Sequence, residues 1–497
     1  MSEKKSIVTA ALWVVCTGSV GRALGLVGTL VLARFLAPEV VAEVTVAAVI
    51  AFTGNWIASW GCGQYVMVRG GGGQEVIFAA TLLHAALGLV TLCLLWALSP
   101  WLALRLQAPE LALYLPGALL AVWIRRLATI PDKLLARDLR FARLATATGL
   151  GDLAYALTAV GLVLATPLRG GAMVAAFIVQ SCVIAAITIS GVSVRRWLAP
   201  VRIGAARWKD LLRFGAPVTA EMTLSEGARY WDKPLMLRLV GADAAGSYNL
   251  AFNLAHLPAL YIGGHIGTVM LPAIVRATPH ERGPMIIRVL TLTAVVLFPL
   301  AFGLAACAGT LVEVLLPEQW AGVAPLLRVL AATSVLAPAS FMLASFLAAL
   351  GENGALVRIE LASVLTLVAA LVLLSPWGVV VASAAVGIAL AAQLGMSLAS
   401  CRRHGMVLRP ALAPLARLLL ASAAMVAAVS ATSTVLGQVM SDLPLLLLAA
   451  EVAVGAAVYM GACSLLVHGL LVDVVRLLRP GAPPTPIPPG AQPQTAP

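Results

Sequence analysis

The chain has 497 residues, of which 61% are apolar and only 11% charged; its net charge is +12 and its mean hydropathy +0.98. A soluble domain carries about 25% charged residues, so a secreted disulfide scaffold, a disordered chain and a soluble enzyme with one membrane anchor are excluded. Apolar runs of about 20 residues, enough to cross the hydrocarbon layer as helices, recur from end to end. The fold class is therefore an all-α polytopic membrane protein.

In chain order the runs predict fourteen spans at about 7–36, 41–67, 76–104, 111–130, 144–166, 171–193, 214–240, 244–275, 287–312, 322–349, 354–374, 377–400, 412–437 and 444–472. The first follows Lys4 and Lys5, is too long for a signal-peptide core and is read as a retained span. The segment Pro480 to Pro497 is rich in Pro, Gly and Ala, has no charge and reads as a disordered tail. Seven cysteines are scattered with no CxxC spacing, so neither a metal nor a redox signature is present. An even span number puts both termini on one side. Of the 33 Lys and Arg, 25 then fall inside and five outside (Arg34, Arg105, Arg169, Arg238 and Arg328), with Arg22, Arg229 and Lys233 within spans. This is the positive-inside pattern and predicts cytoplasmic termini. Because the basic residues sit between spans, they do not point to nucleic acid. No loop is long enough for a folded soluble domain.

The segment Leu32 to Glu39 is similar to Met236 to Asp243, a constant offset of 204 residues. That offset is six spans, so the copies share an orientation, as in transporters with parallel repeats and a substrate site between the halves. The expected organisation is an N-terminal six-helix lobe at 1–193, a cytoplasmic linker at 194–213, a second six-helix lobe at 214–400, helices 13 and 14 at 401–479, and the tail at 480–497.

Three stretches carry a family resemblance. They are Trp208-Lys-Asp-Leu-Leu-Arg-Phe-Gly-Ala-Pro217, Asp232-Lys-Pro-Leu-Met-Leu-Arg-Leu-Val-Gly-Ala-Asp-Ala-Ala-Gly-Ser-Tyr-Asn-Leu-Ala251, and Leu257-Pro258 with Met270-Leu-Pro-Ala273. With Gly21-Arg22 and Leu30 to Pro38, they resemble the Wzx-type polysaccharide flippases of the multidrug/oligosaccharidyl-lipid/polysaccharide (MOP) exporter superfamily. The first copy departs from that pattern, with Ala37 and Ala42 where glycines are usual. The resemblance implies export of undecaprenyl-diphosphate-linked oligosaccharides across the bacterial inner membrane, with no enzymatic step. It also implies membrane lipids, a polysaccharide polymerase and glycosyltransferases as partners.

An ionisable group at mid-membrane costs about 2.5–3.5 kcal/mol on insertion scales, so each needs a partner or a watery cavity. Span 7 is the densest case, with Glu221, Ser225, Glu226, Arg229, Asp232 and Lys233. Glu221, Ser225, Arg229 and Asp232 lie within an arc of about 80°, which Glu226 and Lys233 extend to about 140°. Pro217 and Pro234 bracket the stretch and predict bends. In span 1, Arg22 shares a face with Gly18, Gly25 and Thr29. Arginine suits a diphosphate because its planar fork binds oxygens bidentately. In span 8, Asn249, Asn253 and His256 form a stripe suited to sugar hydroxyls. Substrate binding is therefore assigned to Arg22, Arg229, Lys233, Asp232, Asn249, Asn253 and His256. Coupling to a cation (H+ or Na+) or charge balance is assigned to Asp232, Glu221 and Glu226. The competing reading is internal neutralisation: Glu226 with Arg229, and Arg229 with Asp232, are i,i+3 pairs.

His84, Asp152 and Glu451 stand alone in apolar runs. Arg125 and Arg126 are expected to reach lipid headgroups. His265 reads as a packed polar residue, and Gly21/Gly25 and Gly263/Gly267 as helix-packing pairs. Gly70 to Gly73 lacks the Lys-Ser/Thr of a phosphate loop. The expected function is flipping of lipid-linked oligosaccharide by alternating access. The alternatives are a cation-coupled drug or small-solute exporter of the same superfamily and a non-transporting scaffold for polysaccharide synthesis.

Overall fold

The computed structural model describes residues 28–70, 73–407, 409–440 and 442–470. Among them no strand occurs. A helical segment at 28–33 is followed by α1 (Pro38–Ser59), α2 (Cys62–Arg69), α3 (Gln74–Ala97), α4 (Ser99–Leu106), α5 (Leu111–Leu127), α6 (Thr129–Arg137), α7 (Phe141–Ala165) and α8 (Gly170–Ile189). Short α9 (Arg195–Leu198) leads into α10 (Ala205–Tyr230), α11 (Asp232–Val240), α12 (Ala242–Arg276), α13 (Pro279–Ala306) and α14 (Ala308–Leu315). The chain continues through α15 (Val323–Ser334), α16 (Leu336–Ala349), α17 (Asn353–Leu374), α18 (Val379–Arg403), α19 (Arg409–Gly437) and α20 (Pro444–Leu466).

Local sequence explains many of these boundaries. α1, α13 and α20 each carry proline in the first turn, where no backbone N–H is needed. Thr278 and Glu281 form a capping box at the start of α13. Eleven helical stretches among the described residues are long and apolar enough to cross a membrane. The other three expected spans correspond to the first, mostly outside the described residues, the polar α10–α11 segment and the 35-residue α12. α10 already begins at Ala205, inside the expected linker, and its break falls at Trp231 between the two prolines.

The element order repeats. α1 and α12 begin at Pro38 and Ala242, the same 204 residues apart. α3 runs into the eight-residue α4 through a shared cap at Leu98, as α13 runs into the eight-residue α14 through Cys307. α5 and α6 meet at Ala128, and α15 and α16 at Val335. α7 packs on α8, α17 on α18, and α1 directly on α12. The largest core gathers around these contacts, with Leu111, Leu115, Tyr248, Trp320 and Leu327 fully enclosed. α19 and α20 pack on each other and on α13 and α14, around Phe298, Met425 and Tyr459.

The structure corrects one expectation. Arg125 is partly exposed and pairs with Asp132 at 3.3 Å, but Arg126 is 2% exposed. Its Nε and Nη2 donate to the His84 carbonyl at 2.9 and 2.7 Å. Nη2 also donates to the Ala58 carbonyl at 2.6 Å, and Nη1 to Asn55 Oδ1 at 2.6 Å and the Asn55 carbonyl at 3.2 Å. All five guanidinium N–H groups are thus used, and α1, α3 and α5 are tied at one point. Gly88 makes the space, since a Cβ there would stand 1.9 Å from Arg126 Nε.

In the loops, Arg196 binds both oxygens of Asp138 and holds that carboxyl below its ordinary value. This clasp contributes at neutral pH and is lost only as pH falls through the lowered value.

Candidate functional site

The polar arc of α10 faces a cavity of about 340 Å³. Its lining includes Glu221, Ser225 and Arg229 from α10, Asp232 from α11, Phe252 and His256 from α12, and Phe341 from α16. α17 adds Glu360 and Ser363, and α18 adds Gln393. Every described lining residue comes from position 221 onward.

Arg229 is exposed, with its guanidinium carbon 5.5 Å from the Phe341 ring centroid. Among the described residues it forms no ion pair, so neither i,i+3 partner neutralises it by contact. Asp232 and Lys233 instead pair with each other. Both are buried, with Nζ 3.4 Å from Asp232 Oδ1. Tyr248 donates to Asp232 Oδ2 at 2.5 Å. The Lys233 ammonium lies 4.1 Å from the Phe252 ring centroid and 5.1 Å from that of Tyr230, and Lys233 is not among the lining residues. A buried pair fails when one partner is removed, at a cost of about 3–5 kcal/mol. Asp232→Asn is therefore expected to lower the amount of folded protein, read by size exclusion of detergent extracts. An unchanged profile would show that the aromatic rings alone hold Lys233.

The span 8 stripe is divided. His256 reaches the cavity, stacked on Phe252 with centroids 4.0 Å apart. Asn249 and Asn253 border a separate void of about 40 Å³ with Thr29, Tyr155 and Trp320. Asn249 Nδ2 donates to Thr45 Oγ1 at 3.0 Å. Glu226 is half-buried on α10 and is not part of the cavity lining. Arg22, Gly18 and Gly25 lie outside the described residues, as do Gly21 and the tail; the His265 side chain does too.

Sequence reasoning missed Glu360, Gln393 and Phe341. Gln393 Nε2 donates to Glu360 Oε1 at 3.0 Å, and Glu360 is within electrostatic reach of Arg229 and Glu221. The signal was available, because an acid inside an apolar run marks a functional candidate. The isolated polar residues also find partners. Gln180 donates to Asp152 Oδ1 at 2.9 Å, and Thr310 donates to Glu451 Oε1 at 2.9 Å. His84 Nδ1 lies 3.5 Å from the Ser59 carbonyl.

The repeated array of apolar helices defines a multi-pass membrane protein, with a cavity in its second half that holds an arginine and several carboxylates. Its fold is similar to that of the solved structure described as "Lipid II flippase MurJ, inward closed conformation", with a TM-score of 0.76 at 13% identity, covering 93% of this chain and 100% of that one. It is also similar to that of a structure described as "Inward-facing conformation of a multidrug resistance MATE family transporter of the MOP superfamily", with a TM-score of 0.62 at 13% identity, covering 80% of this chain and 98% of that one. Residues 31–325 match the family described as "Polysaccharide biosynthesis protein", and the chain belongs to that family. It is 24% identical over 339 residues to the "Lipopolysaccharide biosynthesis protein WzxC" of Escherichia coli K12, covering 68% of each chain. It is 26% identical over 334 residues to the "Succinoglycan biosynthesis transport protein ExoT" of Rhizobium meliloti 1021, covering 66% of each.

Proposed function

We propose that the protein flips undecaprenyl-diphosphate-linked oligosaccharide repeat units across the bacterial inner membrane. The product would serve exopolysaccharide, capsule or O-antigen synthesis, with a polymerase and glycosyltransferases as partners. The observation that carries this reading is Arg229, exposed in a cavity and without an ion pair among the described residues. An arginine fork is suited to a diphosphate. Membership of the polysaccharide biosynthesis family supports the same cargo.

In this reading residues 1–193 and 214–400 are two lobes that rock about the cavity, 194–213 links them, and 401–479 adds helices 13 and 14. Both termini are cytoplasmic. Arg22 and Arg229 meet the diphosphate, His256 meets the first sugar, and Asn249 and Asn253 meet sugars once the lobes part. Lys233 and Asp232 support Arg229 from behind. A cavity of about 340 Å³ is within the range of small-molecule sites but too small for a whole repeat unit, so it must widen during transport. Glu221, Glu226, Asp232 and Glu360 are the carboxylates available to a coupling cation, H+ or Na+.

Deleting the gene is expected to abolish the polymer and to leave lipid-linked repeat units accumulating in the membrane, with drug sensitivity unchanged. Normal polymer together with new drug sensitivity would replace this reading with a drug exporter. Glu221→Gln and Glu360→Gln are each expected to lower polymer yield at unchanged protein level. Full yield from both would remove these acids from coupling.

A further inference from the structure

At one end of the array, the N-terminal turns of α1 and α12 meet with almost no space between them. A Cβ on Gly246 would stand 1.9 Å from the Pro38 carbonyl oxygen and 2.4 Å from its carbon. One turn deeper, Asn249 bonds Thr45 at 3.0 Å, and these two residues are 204 positions apart. They are therefore repeat equivalents facing each other across the axis that relates the halves. Trp320, 1% exposed, reaches over from the turn before α15 and donates to the Ala33 carbonyl at 2.7 Å. Gln319 Nε2 lies 3.3 Å from the carbonyls of both Ala33 and Leu36. Ala33 ends the helical segment 28–33, where the last carbonyls have no donor of their own helix. The second half thus supplies the missing donors.

Three features make this seam one that can part. The bonds made across it by Asn249, Gln319 and Trp320 are neutral, with one exposed charge-assisted bond at the same end from Arg238 to Gln107 Oε1 at 3.3 Å, and each acceptor can turn to water when the seam opens. The void of about 40 Å³ beside Asn249, whose Oδ1 has no partner among the described residues, has room for one water at the joint. The fastening near the linker is by contrast charged. Asp210 accepts from Tyr65 at 2.8 Å, and Arg207 pairs with Glu75 at 3.8 Å. Along α12, Gly246 precedes Phe252 and Ala259 of the cavity wall by about 9 and 20 Å at 1.5 Å per residue.

We propose that this seam is the gate that separates the cavity from one leaflet, with Gly246 on Pro38 as its contact point and Trp320 on Ala33 as its latch. By charge distribution that leaflet is the outer one, and the proposal rests on the alternating-access reading above. Gly246 is fixed as glycine because a methyl group there would wedge the halves apart.

The test is the double variant Thr45→Cys with Asn249→Cys, carrying a protease site in the loop at 199–204. Oxidation is expected to keep the two fragments joined on a non-reducing gel and to lower polymer export below that of the same double variant kept reduced, whatever level the reduced chains themselves reach. Gly246→Ala added to that chain is expected to lower the cross-linked fraction. Trp320→Phe, which keeps the ring but loses the N–H, is expected to do so more mildly. Absence of the cross-link, unchanged export by cross-linked chains, or undiminished cross-linking in both added variants would overturn the gate. The gel readout needs no substrate. Failure of the unoxidised double variant's parent to support polymer would count against the flippase reading alone.

Discussion

Arg229→Ala is expected to stop polymer export while the protein remains at its normal level in the membrane. The guanidinium is exposed in the cavity and forms no ion pair with a described residue. Its contact with Phe341 at 5.5 Å is of the kind that contributes about 0.5–2 kcal/mol. Removing it therefore costs little stability. A diphosphate held by the fork would lose charge-assisted hydrogen bonds of about 1.5–3 kcal/mol each. Two such bonds correspond to a loss of roughly a hundredfold or more in affinity at 1.4 kcal/mol per factor of ten. Arg229→Lys keeps the charge without the planar fork and should export at an intermediate level. Polymer quantified beside an immunoblot of membranes checks both variants. Wild-type polymer from Arg229→Ala would remove this residue from substrate contact.

Arg126→Ala is expected to act in the opposite way, through loss of the protein. The side chain leaves behind the carbonyls of Asn55, Ala58 and His84 and the Asn55 amide oxygen, all satisfied in the native state. Each buried acceptor left without a donor costs about 1–3 kcal/mol. The Asn55 and His84 carbonyls keep the i+4 N–H of their own helices, whereas the Ala58 carbonyl in the last turn of α1 and the Asn55 amide oxygen lose their donor outright. The loss is therefore about 2–6 kcal/mol, a large share of the roughly 5–15 kcal/mol of an ordinary domain. Lysine, with three donors and no fork, cannot replace the five bonds, so Arg126→Lys should fail as well. Fluorescence-detected size exclusion of tagged variants gives the readout. A monodisperse peak of normal height from Arg126→Ala would show that the bundle closes without the clamp.

Much of the fold could be read from periodicity. The polar arc of α10 is a property of one helix, and it turns to the cavity as the wheel predicts. The offset of 204 residues seen in two short segments reappears as the start points of α1 and α12 and as the bond from Asn249 to Thr45. What escaped the sequence was decided by partners distant along the chain. Arg126 looks like a headgroup anchor because its acceptors lie at 55, 58 and 84 on two other helices. Lys233 looks available because nothing nearby in sequence announces the Phe252 ring that covers it. The stripe of Asn249, Asn253 and His256 is real as a helix face. It extends about 10 Å along the axis at 1.5 Å per residue, so its ends open into different spaces.

The central claim concerns cargo, and purified protein in vesicles tests it most directly. Liposomes would carry an undecaprenyl-diphosphate-linked oligosaccharide in both leaflets, and a membrane-impermeant glycosidase would be added outside. With the wild-type protein, digestion should proceed past the outer-leaflet half to near completion; with Arg229→Ala it should stop at half. Digestion that halts at half in wild-type vesicles, as in protein-free ones, would contradict the account.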